Sequence, residues 1–374
     1  MTHLTIGDPA PWFIAPSNVN PTYHFDTVGG HRTVLSFFGS TQLPGMHQVI
    51  EGFCAAQPIF AKLTVPFFGV CIDAQDQDHI STPESTAFCK LIWDFERQVS
   101  RLYGIATPID NGSYMRFSPI TFVLNERMQI IHIIPITEPE THVAQVVEFV
   151  ASLPPIPPSV VAQRQAPVLF IPHVLSQEMC RHLISQYKAN GGEPSGFMRQ
   201  VDGKTVAVMD DGFKRRRDFN IQDQGLLETL NSHMLRRVKP EIQKAYQYEI
   251  TRFERHLVAC YDASNQGFFN RHRDNTTKGT AHRRFAMTIN LNTEEFEGGY
   301  LRFPEFGSQL YRPNTGEAVI FSCSLLHEAT SVLQGTRYAL LSFFYNDEAA
   351  VVRSQNRQYL VTEEPSSQAK QPVS

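Results

Sequence analysis

Four prolines crowd into the seven residues Leu153-Pro154-Pro155-Ile156-Pro157-Pro158-Ser159. Proline has no amide donor and fixes φ, so neither a helix nor a central strand runs through such a stretch, which sets instead as a semi-rigid extended spacer. A chain of 374 residues interrupted there must build a core on each side. The sequence predicts domains over 1–153 and 168–350, a Pro-rich linker over 154–167 and a polar tail over 351–374.

The composition suits globular domains, with 42% hydrophobic and 19% charged residues. Lys+Arg 33 against Asp+Glu 37 gives a net charge of −4, so a nucleic-acid partner is not expected. No apolar run approaches the roughly 18–20 residues of a membrane span, and Met1 to Pro9 lacks the pattern of a secretory signal. The six cysteines (54, 71, 89, 180, 260 and 323) form no CxxC pair, which argues against a disulfide framework or a zinc site and for a reducing, cytoplasmic setting.

The first half alternates β-like and α-like segments. Val34 to Phe38 and Val65 to Ile72 read as buried strands, 45–63 and a stretch near 84–102 as helices, Ile120–Leu124 with Ile130–Ile134 as a hairpin, and 139–152 as a last helix. That order is an α/β sandwich of thioredoxin type. After the linker, Val168–Ile171 reads as a strand. Ser176 caps a helix that ends near Gly191-Gly192, and a second helix over 224–247 should kink or break at Pro240. From Glu249 the pattern turns to short strands. In one of them Phe285, Met287, Ile289 and Leu291 share a face, with Thr288 and Asn290 on the other. The expected fold is therefore multidomain: an N-terminal α/β thioredoxin-like sandwich plus a C-terminal α+β double-stranded β-helix (jelly roll) with supporting helices.

His272-Arg273-Asp274 and the distant His327 carry the chemistry. Residues two apart on a strand point the same way, so His272 and Asp274 share one side and Arg273 takes the other. Two imidazoles and one carboxylate form the three-ligand set of a non-haem Fe(II) centre, which leaves positions open for O2 and a chelating co-substrate. Arg337, ten residues after His327, offers a planar fork for a carboxylate, and Tyr261 can donate its hydroxyl to the same molecule.

Val258-Ala259-Cys260-Tyr261, Gly267-Phe268-Phe269, His272-Arg273-Asp274-Asn275, Gly298-Gly299-Tyr300-Leu301-Arg302-Phe303, His327-Glu328 and Thr336-Arg337-Tyr338-Ala339 together resemble the prolyl-hydroxylase branch of the 2-oxoglutarate- and Fe(II)-dependent dioxygenases. The resemblance implies Fe(II) on His272, Asp274 and His327, and the C5 carboxylate of 2-oxoglutarate on Arg337 with Tyr261 lining its pocket. It also implies O2 as oxidant, ascorbate as reductant, and hydroxylation of a peptidyl (prolyl-type) or small-molecule C–H bond with release of succinate and CO2. Halogenating relatives carry a small residue where Asp274 stands, and alkylation-repair relatives carry a second arginine at the position of Phe343, so neither chemistry is expected.

Gly7-Asp8-Pro9-Ala10-Pro11-Trp12-Phe13, the run Leu35 to Met46, Val99 to Gly104 and Thr121 to Leu124 resemble peroxiredoxins. The match puts Met46 where that family carries its peroxidatic cysteine. A thioether cannot become a thiolate, so the domain is expected to serve assembly, as in a homo-oligomer, or partner binding. The alternative is a redox or protein-interaction module, with the oxygenase half acting as a sensor and Cys54, Cys71 or Cys89 as the active thiol. The stretch 275–284 reads as a lid over the site mouth, with Arg283 and Arg284 placed to meet an acidic substrate, or as a solvated loop. The basic run 213–218 reads as a solvated face or a substrate contact.

Overall fold

The two prolines on either side of Ile156 leave the chain as two compact units that divide at residues 160 and 161. The computed structural model describes residues 3–80, 88–109 and 114–361.

The first unit is built on a five-stranded sheet. Its strands are β1 (Thr33–Gly39), β2 (Phe67–Cys71), β3 (Cys89–Trp93), β4 (Ile120–Leu124) and β5 (Ile130–Pro135), in the order β3-β2-β1-β4-β5. β1 runs parallel to β2, and β2 to β3, while β4 and β5 are antiparallel. Every residue of β1 is buried, because its alternate side chains enter cores on both faces: Val34 and Phe38 on one, Leu35 and Phe37 on the other. Such a strand reads as one continuous apolar run. Helices α1 (Met46–Ala55), α2 (Gln57–Leu63), α3 (Gln98–Leu102) and α4 (Pro139–Ser152) complete the unit, which is a thioredoxin-like fold.

Two expectations change here. The helix read over 45–63 is two helices, parted at Ala56, with Pro58 in the first turn of the second, where its missing N–H costs no bond. The helix near 84–102 is mostly not one: residues 81–87 lie outside the described residues, Cys89–Trp93 is a strand and only Gln98–Leu102 is helical. The apolar run there alternates between the two cores, with Cys89, Leu91 and Trp93 on one side and Ile92 on the other, and parallel pairing with β2 decides the matter. Met46, the first residue of α1, is buried at 3% exposure, so a packed thioether stands at the helix start.

The second unit is a jelly roll of two antiparallel sheets. The larger runs in the order β6 (Leu169–Ile171), β14 (Ala318–Ser322), β13 (Phe285–Asn290), β16 (Val332–Tyr345), β11 (Leu257–Asp262), β10 (Arg217–Asn220) and the pair Glu193–Pro194. The smaller holds β9 (Lys214–Arg215), β12 (Phe268–His272), β15 (His327–Ala329), then Leu301–Arg302 and Leu310–Tyr311. A separate hairpin is formed by β7 (Phe197–Val201) and β8 (Lys204–Val208).

Helices α5 (Gln177–Asn190), α6 (Gln224–His233) and α7 (Lys239–Tyr246) pack Leu183, Leu230 and Ile242 against Val258, Met287, Ile289 and Leu340 of the larger sheet. The Ser176 side chain accepts from the Met179 amide and caps α5, a contact worth about 1 kcal/mol. The kink expected at Pro240 is a π-helical turn over Met234–Val238, followed directly by α7. A last helix, α8 (Asp347–Asn356), precedes residues 362–374, which lie outside the described residues together with that part of the expected tail. No helix among the described residues is long and apolar enough to cross a membrane.

Candidate metal centre

His272 is the last residue of β12 and His327 the first of β15, and the two face each other directly across the ladder. Asp274 follows two residues later, held by its amide donating to the Cys323 carbonyl at 2.9 Å. The ligand atoms of His272, Asp274 and His327 all lie within 4.8 Å of one another. Each imidazole Nε2 is 3.5 Å from a different oxygen of Asp274.

The other edge of each ring is occupied. His272 Nδ1 donates to the Asn270 carbonyl at 2.7 Å and His327 Nδ1 to the Leu325 carbonyl at 3.0 Å. A carbonyl only accepts, so both protons sit on Nδ1 and both Nε2 lone pairs turn toward Asp274. The Phe269 ring stacks on His272 at 3.6 Å and Phe321 packs edge-on to His327 at 4.6 Å, which fixes the rings. Burial pushes His327 down to about 4, so it stays a neutral ligand. Burial alone would raise the Asp274 carboxyl, but His327, His272 and Arg283 together hold it well below the usual carboxylate range. Two imidazole Nε2 atoms and a carboxylate, with all three donor atoms converging, fit a divalent metal.

Arg337 opens onto the same cavity, whose volume is about 620 Å³. It faces Tyr261 across the β11–β16 ladder, its guanidinium 5.2 Å from that ring. Nε donates to Asn290 Oδ1 at 3.1 Å and an Nη to Thr288 Oγ1 at 3.3 Å. Arg337 is 2% exposed, and among the described residues no carboxylate pairs with it. Thr288 and Asn290 went unread in the sequence as parts of this site. Their signal was present, since they occupy the face of β13 opposite its core residues.

Arg216, Arg273 and Arg283 each pair with a carboxylate, whereas Lys214 is held by neutral groups. Arg216 donates twice to Asp218, both at 2.6 Å, and also to Tyr261 Oη at 3.3 Å. Tyr261 Oη thus accepts from Arg216 and keeps its own proton to donate. Lys214 donates to Ser195 Oγ at 2.7 Å and the Gly196 carbonyl at 2.6 Å, and burial, followed by Arg216, pushes it down to about 6. The basic run over 213–218 is therefore no uniformly solvated face. It alternates, with Lys214 and Arg216 lining the cavity and Arg215 and Arg217 turned away. Arg273 points to the other side of the metal triad and pairs with Glu305 at 2.6 Å.

The stretch 275–284 does not form the expected open lid. Thr277, Thr280, His282 and Arg283 are buried. Arg283 and His282 are both bound to Glu254, so Arg283 does not wait for an acidic substrate, while Arg284 donates to the Ala281 carbonyl.

Residues 256–345, which include all five residues singled out above, match the family model of the 2OG-Fe(II) oxygenase superfamily, and residues 6–133 match that of the AhpC/TSA family. Among solved structures, a prolyl hydroxylase from Trichoplax adhaerens, in complex with a hypoxia inducible factor oxygen degradation domain peptide fragment, is 17% identical. That match covers 50% of this chain and 86% of the other, at a TM-score of 0.39. The bacterioferritin comigratory protein of Xanthomonas campestris is 19% identical, covering 37% of this chain and 90% of its own, at a TM-score of 0.33. Peroxidoxin BcpB of Mycobacterium tuberculosis is 18% identical, covering 41% and 99%, at 0.34. No curated protein matches the chain.

Proposed function

From a chain that joins an AhpC/TSA peroxiredoxin-like domain to a C-terminal 2OG-Fe(II) oxygenase domain, and is thereby a dioxygenase, we propose an enzyme that couples decarboxylation of 2-oxoglutarate to hydroxylation of a C–H bond. In this reading His272, Asp274 and His327 hold Fe(II), Arg337 takes the distal carboxylate of 2-oxoglutarate, and the substrate is peptidyl or a small molecule. Bound Fe(II) supplies the O2 and one-electron chemistry.

The observation that carries the reading is the charge left over in the cavity. Arg216 is matched by Asp218, Arg273 by Glu305 and Arg283 by Glu254, which leaves Arg337 as a buried guanidinium held only by neutral groups. A buried cation without an anion is costly, and a bidentate carboxylate is its natural partner. The positive charges of Fe(II) and Arg337 are then balanced by Asp274 and the two carboxylates of 2-oxoglutarate. Tyr261, its oxygen fixed by Arg216, turns its proton toward the carboxylate on Arg337. Asn290 and Thr288 set the plane of the fork. Phe269 and Phe321 exclude water from the ring faces of the two histidines.

The test is release of succinate from 2-oxoglutarate in the presence of Fe(II) and ascorbate. His272→Ala and Asp274→Ala should each abolish it. Turnover retained in both variants would refute the ligand assignment.

A further inference from the structure

Six cysteines are free in this chain, and two of them meet. Cys54, in the last turn of α1, and Cys89, the first residue of β3, bring their sulfurs to 3.6 Å. Cys54 is partly exposed and Cys89 fully buried. The hydrogen bond between the two sulfurs lowers the Cys54 thiol, while that same bond, followed by burial, pushes Cys89 up. The pair is therefore polarised: one accessible sulfur biased toward thiolate, and one buried sulfur behind it. By contrast Cys71 is buried and pushed up by its burial, with its S–H turned to Asp76.

We propose that Cys54 and Cys89 are a dithiol–disulfide exchange site for low-molecular-weight disulfides, with Cys54 as the attacking sulfur and Cys89 as the resolving one. The assignment uses nothing from the oxygenase domain. It also differs from the first-turn chemistry that Met46 forecloses, because Cys54 lies eight residues further along the same helix, at the opposite end. A helix C-terminus disfavours an anion, and Glu51 adds to that, so the Cys54 thiolate rests on the Cys89 S–H alone. A thiol lowered from its ordinary value suits exchange.

In the first step the Cys54 thiolate attacks one sulfur of the small disulfide RSSR, forming a Cys54–SR mixed disulfide and releasing RS⁻, which takes up a proton. In the second, Cys89 gives up its proton and attacks the Cys54 sulfur, forming the Cys54–Cys89 bond and releasing a second thiolate. The sum is two protein thiols oxidised, one external disulfide reduced and two RSH formed. The sulfurs must close from 3.6 Å to about 2.05 Å. The backbone can yield on the helix side, since Cys54 sits one residue from the end of α1.

The experiment incubates the full chain, native, in oxidised glutathione, then acid-quenches, alkylates and maps its peptides. The expected product is a Cys54–Cys89 cross-linked peptide in the wild type. In Cys89→Ala the reaction should stop at a glutathione adduct on Cys54, which rises from trace to near-stoichiometric. A wild type that carries glutathione on Cys54 with Cys89 still alkylated as a free thiol overturns the proposal, and so does one that remains unmodified at both. Both of those outcomes are read on the wild type, so a misfolded variant does not shelter the idea.

Discussion

Arg283 donates two hydrogen bonds, of 2.8 and 2.6 Å, to the carboxylate of Glu254, with its guanidinium 3.8 Å from the Phe343 ring. The same guanidinium reaches the Asp274 carbonyl at 3.5 Å, so this pair stands directly behind the proposed metal ligand. Phe343 serves as the plate on which Arg283 lies.

Glu254→Gln keeps the shape of that arrangement and removes its charge. A buried guanidinium left without its anion should cost about 3–5 kcal/mol of stability, read by urea denaturation. Asp274 loses its outer support, so the affinity for Co(II) or Fe(II), measured by titration, should fall roughly 10–100-fold. Unchanged stability and unchanged metal affinity together would show that the pair is incidental.

Arg337→Met should raise the apparent KM for 2-oxoglutarate, with a loss of about 2–5 kcal/mol in its binding, because it removes one partner of a buried charge pair. Metal binding should persist, since none of the three converging donor atoms belongs to Arg337. Asn290→Ala should do the same more weakly, by about 1 kcal/mol, through the lost hydrogen bond to Arg337, the bond to the Pro313 carbonyl going with it. Equilibrium titration of 2-oxoglutarate into the Fe(II)-loaded, anaerobic protein distinguishes the two variants. If Arg337→Met binds it as tightly as the wild type, the carboxylate sits elsewhere.

His272, Asp274, His327 and Arg337 were legible because two of them share a tripeptide on a strand end and the others lie ten residues apart in one motif. Glu254, Thr288 and Asn290 were not, because each acts only through a neighbour far away in sequence: Asn290 meets Arg337 across β13 and β16, 47 residues on. Lys214 and Arg216 illustrate the same limit from the other side. Their charge was visible, but the strand geometry that turns alternate residues of 213–218 into the cavity belongs to the pairing of β9 with β12 and of β10 with β11. The strand Cys89–Trp93 failed for a related reason, since only its partner β2 distinguishes a short apolar run in a sheet from one in a helix.

His142 gives the first unit a pH dependence. Burial pushes it down to about 4, and its Nε2 is bonded to Thr121 Oγ1 at 2.7 Å. Its unfolded value is about 6.5, so between these limits the unfolded chain binds the proton and the folded one does not. Stability is therefore fully present above pH ~6.5, falls as pH drops toward 4 by about 2–3 kcal/mol from this group, and levels off below. Trp12 and Trp93 are the two tryptophans of the chain and both lie in the first unit, so their fluorescence reports its unfolding alone. His142→Asn should flatten the slope over that window, and a parallel pH profile in the variant would remove His142 as its cause.

The segment after α8 ties down two parts of the cavity mouth. Lys204 Nζ donates to the Gln358 carbonyl at 3.0 Å, and the Val361 amide donates to the Thr205 carbonyl at 3.1 Å, which fastens the β7–β8 hairpin. Asn356 donates to the Lys278 carbonyl at 2.8 Å, and the Lys278 ammonium stands 3.9 Å from the Tyr359 ring, which fastens the stretch 275–284. The hairpin contributes Phe197, Met198 and Ala207 to the cavity wall, while both histidines of the metal triad stand on the smaller sheet. Deleting residues 357–374 should therefore speed amide exchange across 198–207 and 276–282 and leave the β13 amides and metal affinity as they were. Loosening confined to the wall should raise KM for any substrate that touches the hairpin more than it lowers succinate formation in the absence of that substrate. Exchange rates in the hairpin equal to those of the full chain would mean that β7 and β8 hold themselves in place without the strap.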